Sequence, residues 1–455
     1  MRHPDRTSRR RFLGLSAAAM AAGACPAARG AGPLERALDT ARHDLPRPRA
    51  ARGNAWPGRI VLDHDPAMNG QGTIDAERVA AVVHHGVRVL TGETDTAAAF
   101  EALFPALTAT TRIAIKVNCI GMTDTRWETA RGVVAGLAQM LGGTYDVSQV
   151  TIYDNRDFVD RPSNPYRNSD FTFHGHTPLI VDSRSYCSAY YVYDDHRLTQ
   201  FLVDCDYVIN MPALKSHNRD LHELTLALKN HYGSCCPSDL CDDITGLLTL
   251  NADPHVKGKT ALVLMDALRG TYDGPPQQAP QVWQTFAAGT PNLLCLSSDP
   301  VTIEYWGREL INAERLARGM EPKLPTYIEQ ASAAPYEIGI SNEAQMTVIR
   351  HDPAAMPEGQ VRSGGCFLLA NRPNPFRDGT TIHYRLPAAA RGRIEILDAA
   401  GRRVRSWSGH RATEGFGMLD WDGRNRWGAP LPAGVYFVRL TAAGTTDVRR
   451  MVKTR

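Results

Sequence analysis

The sequence predicts an α/β domain, a mainly parallel sheet with flanking helices, followed by a smaller all-β antiparallel sandwich. Two patterns carry this reading. Through most of the chain, apolar runs ending in polar residues alternate with amphipathic helical stretches, the signature of strand–helix–strand units in a parallel sheet. Near the C-terminus, short alternating strands recur about every ten residues between Gly-rich turns, as in an antiparallel sandwich. At 455 residues the chain is long enough for two or more domains with their own cores.

The first strand is Arg59–Asp63. From Ile74 to Leu90, Val79, Val82, Val83 and Val87 share one helical face, and Asp75 stands near the start. A second helix is expected over Thr94–Leu107, with Thr94 or Asp95 as N-cap. Arg112–Asn118 is a strand ending in polar groups. Trp127–Leu141 is a helix closed by Gly142 and Gly143, and Val150–Asp154 is a strand ending in an acid. Ligands of such sheets sit beyond the carboxyl ends of the strands, which directs attention to Lys116, Asn118, Asp154 and Asn155. Residues 155–186 are polar and aromatic; His174-Gly175-His176 within them suits a metal-binding pair, an active-site loop or a surface insertion. A short aromatic strand is expected over Ala189–Tyr193. Thr260–Asp266 is a further strand ending in an acid. In Asn292–Pro300 a strand runs into a helix, with Asp299 as N-cap and Pro300 at the first helical position. That helix extends to about Ala317.

The densest chemistry lies in 206–233, DYVINMPALKSHNRDLHELTLALKNHYG. A strand, Tyr207–Ile209, stops at Pro212. Leu221, Leu224 and Leu228 then have helical spacing, with Gly233 as the residue closing the helix. Lys215, His217 and Lys229 are the basic groups; Asn218 and Asn230 stand beside two of them. The functional reading places Lys116, Lys215 and Lys229 around an anionic ligand or cofactor, with His217 as acid–base group titrating near neutrality. Asn118, Asn218, Asn230, Asp154 and Asp266 are the other ligand-binding candidates. The bland reading leaves the lysines solvated and His217 in a turn.

Nine cysteines are present, and Cys235, Cys236 and Cys241 crowd into seven residues after Gly233. With His231 they suggest a thiolate metal or redox site. The alternative is one or two structural disulfides, with Cys187 or Cys205 as a partner. The spacing C-C-x4-C matches no common zinc or iron–sulfur pattern. The cofactor, whether metal, iron–sulfur or neither, stays open at this stage.

At the N-terminus, Ser8-Arg9-Arg10-Arg11-Phe12-Leu13 precedes a short apolar run, Leu15–Ala24. This has the form of a twin-arginine export signal over residues 1–31, with Ala22-Gly23-Ala24 as a cleavage site. Cys25 as a lipidated residue is the alternative. Residues 32–57 are an Arg-, Ala- and Pro-rich linker. The expected partners are the twin-arginine export machinery and an outer-membrane secretion system or the cell surface. The expected location is the periplasm or the cell exterior. A formal net charge of +3 gives no argument for nucleic acid.

Four segments, IKVN (Ile115–Asn118), VINMPALKSHN (Val208–Asn218), LTLALKNHYG (Leu224–Gly233) and SSDPV (Ser297–Val301), look like hallmarks of the domain of unknown function 362 family. The resemblance covers about residues 60–349, within an expected domain at 58–350. It implies no settled activity. Some relatives carry a ferredoxin-like cluster domain, but no C-x-x-C-x-x-C run occurs here. After a Pro- and Gly-rich linker at 351–365, the segments NPF (Asn374–Phe376), AAGRRVR (Ala399–Arg405), WDGRN (Trp421–Asn425) and PAGVYFVRL (Pro432–Leu440) resemble the immunoglobulin-like domain of the flagellar hook capping protein group. They are equally similar to C-terminal sorting domains of type IX secretion cargo. Over 366–455 this implies display or sorting rather than catalysis. Three functions stay open: an exported enzyme or cofactor protein, a non-catalytic exported binding protein, and an assembly factor.

Overall fold

The computed structural model describes residues 54–454, except 71–72, 156–163, 219–221, 238–239, 241, 352–366, 369–370, 372, 387–390, 411–415 and 443–444. The expected export signal, residues 352–365 of the expected linker, Leu221 and Cys241 therefore lie outside the described residues; His351, expected to open that linker, instead ends a strand.

The α/β part is built on one large twisted sheet. Its main strands are β1 (Arg59–His64), β2 (Ile113–Val117), β3 (Val150–Asp154), β4 (Leu179–Asp182), β7 (Tyr207–Met211), β11 (Thr260–Thr271), β12 (Leu293–Ser297) and β13 (Thr347–His351). Their spatial order is β13-β1-β12-β11-β7-β2-β3-β4. All neighbours are parallel except β12, which runs antiparallel to both β1 and β11. Two core clusters lie on the two faces, and strand alternation assigns each residue: Ile60 and Leu62 join one, Val61 the other. Likewise Ile113, Ile115 and Val117 face the second cluster and Ala114 the first. A small separate sheet holds β5 (Cys187–Tyr193), β6 (His196–Thr199) and β10 (Cys235–Cys236).

The helices begin where the sequence signals them. Asp75 caps α1 (Ala76–Thr91) by accepting from Glu77 N and Arg78 N, and α1 buries Val79, Val82, Val83 and Val87. Asp95 caps α2 (Thr96–Ala102). Helix α3 (Trp127–Leu137) follows β2. Asp299 caps α6 (Pro300–Ala317), with Pro300 in the first turn. Its other oxygen takes Gly58 N and Ile340 N, so this cap also ties two distant loops together.

The stretch after Pro212 departs from expectation. In place of an amphipathic helix, it forms β8 (Ala213–Ser216) paired antiparallel with β9 (Leu224–Thr225), then one helical turn, α4 (Ala227–Asn230). Leu224 is thus a strand residue. Gly233 lies in a 3-10 turn with ordinary φ rather than closing a helix. The pairing of β8 with β11 explains the change: it gives the segment a sheet edge to extend, which outweighs a weak three-and-four apolar spacing. Helix α5 (Ile244–Ala252) follows.

The C-terminal part has two antiparallel sheets. One contains β14 (Phe367–Leu368), β15 (Thr380–Arg385) and β18 (Phe416–Trp421); the other β16 (Gly392–Asp398), β17 (Arg403–His410), β19 (Gly434–Ala442) and β20 (Thr445–Lys453). Residues from both, including Ile382, Ile394, Trp421 and Val438, share a single core, as in a sandwich. Among the described residues no helix is long and apolar enough to cross a membrane.

Candidate functional site

Lys116 is the fourth residue of β2, next to the polar edge where the strand ends. Its side chain is almost wholly buried and its Nζ meets Asp154 Oδ1 at 2.8 Å, Val117 O at 2.6 Å and Asn230 Oδ1 at 3.3 Å. Asp154 closes β3 and accepts also from Cys119 N at 2.6 Å and Asn155 N at 2.8 Å. Asn230, on α4, turns its Oδ1 to Lys116 and to Asn118 Nδ2 (3.1 Å), and gives Nδ2 to Asn210 Oδ1 at 2.7 Å. Asn118 Oδ1 then accepts from Lys215 Nζ at 2.6 Å, and Lys215 also reaches Ile120 O at 3.0 Å. A continuous chain of hydrogen bonds, Asp154–Lys116–Asn230–Asn118–Lys215, therefore joins residues from three separate parts of the sequence.

A cleft of about 240 Å³ opens over this chain, lined by Lys116, Asn118, Asp154, His217, Lys229 and Asn230 among others. Its size suits a small ligand better than a dinucleotide. Lys229 on α4 has its ammonium 5.7 Å from the Tyr232 ring centre. The solvated-lysine reading fails: Lys116, Lys215 and Lys229 are 1 %, 0 % and 6 % exposed.

His217 registers the field these groups make. Burial is the largest cause lowering its pKa to about 3, followed by the charges of Lys229, His222, Lys215 and Lys323. This corrects the expectation of a group titrating near neutrality: at pH 7 His217 is neutral and reluctant to take a proton. Lys323 was not legible in the sequence. It sits in a Pro-flanked loop and comes in from 106 positions away to give Nζ to His217 O at 3.2 Å.

Other candidates fall elsewhere. Asp266 lies in β11 but faces α3, accepting from Arg126 N (2.9 Å) and Thr129 Oγ1 (2.7 Å) at the helix start. Burial raises its pKa to about 6. Asn218 gives Nδ2 to Asp273 Oδ1 (2.6 Å) and accepts from Lys323 Nζ (2.8 Å), away from the cleft lining. His174 and His176 flank a tight turn, where His176 Nδ1 meets Asp146 Oδ1 at 3.0 Å.

The cysteine cluster is not a thiolate site in its described part. Cys236 is bonded to Cys187, so it has no thiolate to offer. Cys235 is a buried thiol whose pKa burial pushes well up. His231 is buried, its Nδ1 3.1 Å from Ser234 Oγ, and burial followed by the Lys116 charge lowers its pKa to about 3. The disulfide alternative thus holds for Cys236.

Comparison with known proteins follows the same two-part division. No curated protein matches this chain. Among solved structures, dimeric latent PorU from Porphyromonas gingivalis is 21% identical, with a TM-score of 0.18, over 21% of this chain and 10% of its own. PorZ, a surface component of the type IX secretion system of the same organism, is 22% identical, with a TM-score of 0.16, over 22% of this chain and 13% of its own. FlgD from P. aeruginosa is 23% identical, with a TM-score of 0.14, over 16% of this chain and 59% of its own. The chain thus spans 10%, 13% and 59% of the lengths of these three chains. Two family models match: the one described as Domain of unknown function (DUF362) over residues 113–309, and the one described as FlgD Ig-like domain over residues 374–446.

Proposed function

We propose that the α/β domain binds a small anionic ligand in the lysine-lined cleft of an exported protein. The observation that supports this is a small cleft lined by Lys116 and Lys229, with Lys215 joined to its lining through Asn118. Ammonium groups held out of bulk water are a favourable setting for a negative charge on a ligand. A phosphate-like or carboxylate ligand supplies that charge, with Asn118 and His217 as hydrogen-bonding partners. Asp154 holds Lys116 in place, and Lys215 and Lys229 supply the charge for the ligand. Neutral His217 donates or accepts without competing for the site as a cation.

Export by the twin-arginine route is the second part of the reading. It rests on Ser8–Leu13 and the short apolar run behind it. The Cys187–Cys236 disulfide supports an oxidising compartment. The FlgD Ig-like domain then serves display or sorting at the surface, outside the chemistry of the cleft.

The test is calorimetric titration of the purified chain with inorganic phosphate, sulfate and short dicarboxylates, repeated on Lys215→Ala and Lys229→Ala. Saturable binding by the wild type and its loss in both variants is expected; equal affinity in all three proteins refutes the cleft. For export, Arg9→Lys with Arg10→Lys should retain the protein in the cytoplasm.

A further inference from the structure

We propose that Asp63, His85 and His351 form a binding site for one divalent transition-metal ion, zinc by preference. Asp63 is the fifth residue of β1. Strand alternation puts its side chain on the face of Val61, which α1 covers, and His85 lies on α1. His351 ends β13 and is the register partner of Asp63 across the parallel pair, so both side chains share that face. Three elements thus deliver one carboxylate and two imidazoles to one point.

The geometry is close to that of a ligand set. Asp63 Oδ2 lies 2.6 Å from His85 Nδ1, and Oδ1 lies 2.7 Å from His351 Nδ1. The three ligand atoms fall within 4.8 Å of one another, and the two rings are 4.1 Å apart. Around zinc, with bonds of about 2.0–2.2 Å, adjacent ligand atoms stand roughly 3.3 Å apart. The imidazoles must therefore open by about 0.6 Å to admit the ion. Both have room: the His85 side chain is 30% exposed and that of His351 53%.

Charge gives a second, independent argument. The Asp63 carboxylate is fully buried, and its ion-pair partners are these two imidazoles. A divalent cation held by the two ring nitrogens and this carboxylate brings positive charge to a buried anion. Three protein ligands on a partly solvated rim leave a position for water, as in open zinc sites and in two-histidine, one-carboxylate iron sites. The ion would also fasten the edge strand β13 to β1 and α1. This site stands apart from the lysine cleft: β1 and β2 are separated by β12, β11 and β7, roughly 19 Å at the usual strand spacing.

The test uses untagged full-length protein, stripped with chelator and titrated with Co²⁺ and then Zn²⁺. One Co²⁺ per chain is expected, giving a visible absorption band that Zn²⁺ displaces. His85→Ala, His351→Ala and Asp63→Asn should each weaken binding by at least about tenfold, since loss even of an outer partner costs that much. Lys215→Ala should bind Co²⁺ as the wild type does, which separates this site from the cleft. His351 is half exposed, so His351→Ala should keep the wild-type near-ultraviolet circular dichroism. Absence of a stoichiometric band, or an unchanged affinity in folded His351→Ala, overturns the proposal.

Discussion

Lys215 Nζ lies 2.6 Å from Asn118 Oδ1, across 97 residues of sequence. The contact joins β8 to the loop after β2, and through Asn118 and Asn230 it connects two buried ammonium groups. The members of this chain have different duties, and substitution separates them. Lys215→Met and Lys229→Met remove charge facing the ligand, so each should weaken anion binding by about 10- to 100-fold, the range for a hydrogen bond to a charged group. Lys116→Met instead leaves Asp154 buried without its ion pair. Two backbone N–H groups still serve Asp154, so the loss should fall at the low end of about 3–5 kcal/mol. Calorimetry paired with urea unfolding reads both; equal stability loss in all three variants would show that the lysines act only as structure.

Gly233 is fixed by proximity rather than by backbone conformation. A Cβ there would come 2.2 Å from Asp154 Oδ1 and 2.6 Å from Lys116 Nζ. Gly233→Ala should therefore push this ion pair apart, costing about 1–3 kcal/mol as overpacking does, and weaken anion binding with it. Gly434→Ala, where a Cβ meets nothing within 4 Å, should stay within about 0.5 kcal/mol of wild type. Urea midpoints of the two variants check the contrast.

Much of this fold was legible because local signals and tertiary structure agree. Asp75, Asp95 and Asp299 cap the helices they were expected to start, and the valine face of α1 is the face it buries. Strand ends such as Lys116–Asn118 and Asp154 could be read as a rim because parallel sheets gather their carboxyl ends on one side. The stretch after Pro212 could not, since an edge of β11 decides its conformation and a leucine spacing does not reveal a neighbour. Lys323 and the trio of Asp63, His85 and His351 were equally hidden. No motif spans the 288 positions between Asp63 and His351; only the β1–β13 register brings them together. Asp266 was misassigned because a strand-end acid and a helix-start acceptor look alike in sequence.

The Cys187–Cys236 bond closes a loop of 49 positions and ties β5 to β10. Loop-closure entropy of that size contributes about 4 kcal/mol, within the usual span for a native disulfide. Cys187→Ala, or reduction, should lower stability by about 2–4 kcal/mol. Cys119, Cys205, Cys235 and Cys295 are buried thiols and should resist a thiol reagent until the chain unfolds. A reduced protein as stable as the oxidised one would mean that this bond does not constrain the unfolded chain.

Acid should expose the positive field of the cleft. His217 and His231 have pKa values near 3 in the fold and His255 near 4, against about 6.5 unfolded. Below pH 6.5 the unfolded chain takes protons at these sites that the folded chain refuses, so they cost stability as pH falls toward 3–4. Asp266 and Glu304 act oppositely: burial raises them to about 6 and about 7, so the folded chain holds extra protons and loses their contribution as pH rises through that range. The absolute stability curve mixes both signs. The clean measurement is the difference between wild type and His217→Gln, which should be small at pH 7.5 and should favour the variant increasingly from pH 6.5 down to pH 4.5. An anion in the cleft reverses the effect of the lysines on His217 and raises its affinity for a proton, so phosphate binding at pH 5 should be accompanied by proton uptake. Calorimetry in two buffers of different ionisation enthalpy measures that uptake. If His217→Gln binds phosphate with the same proton count as the wild type, His217 does not sit in the field of the bound anion.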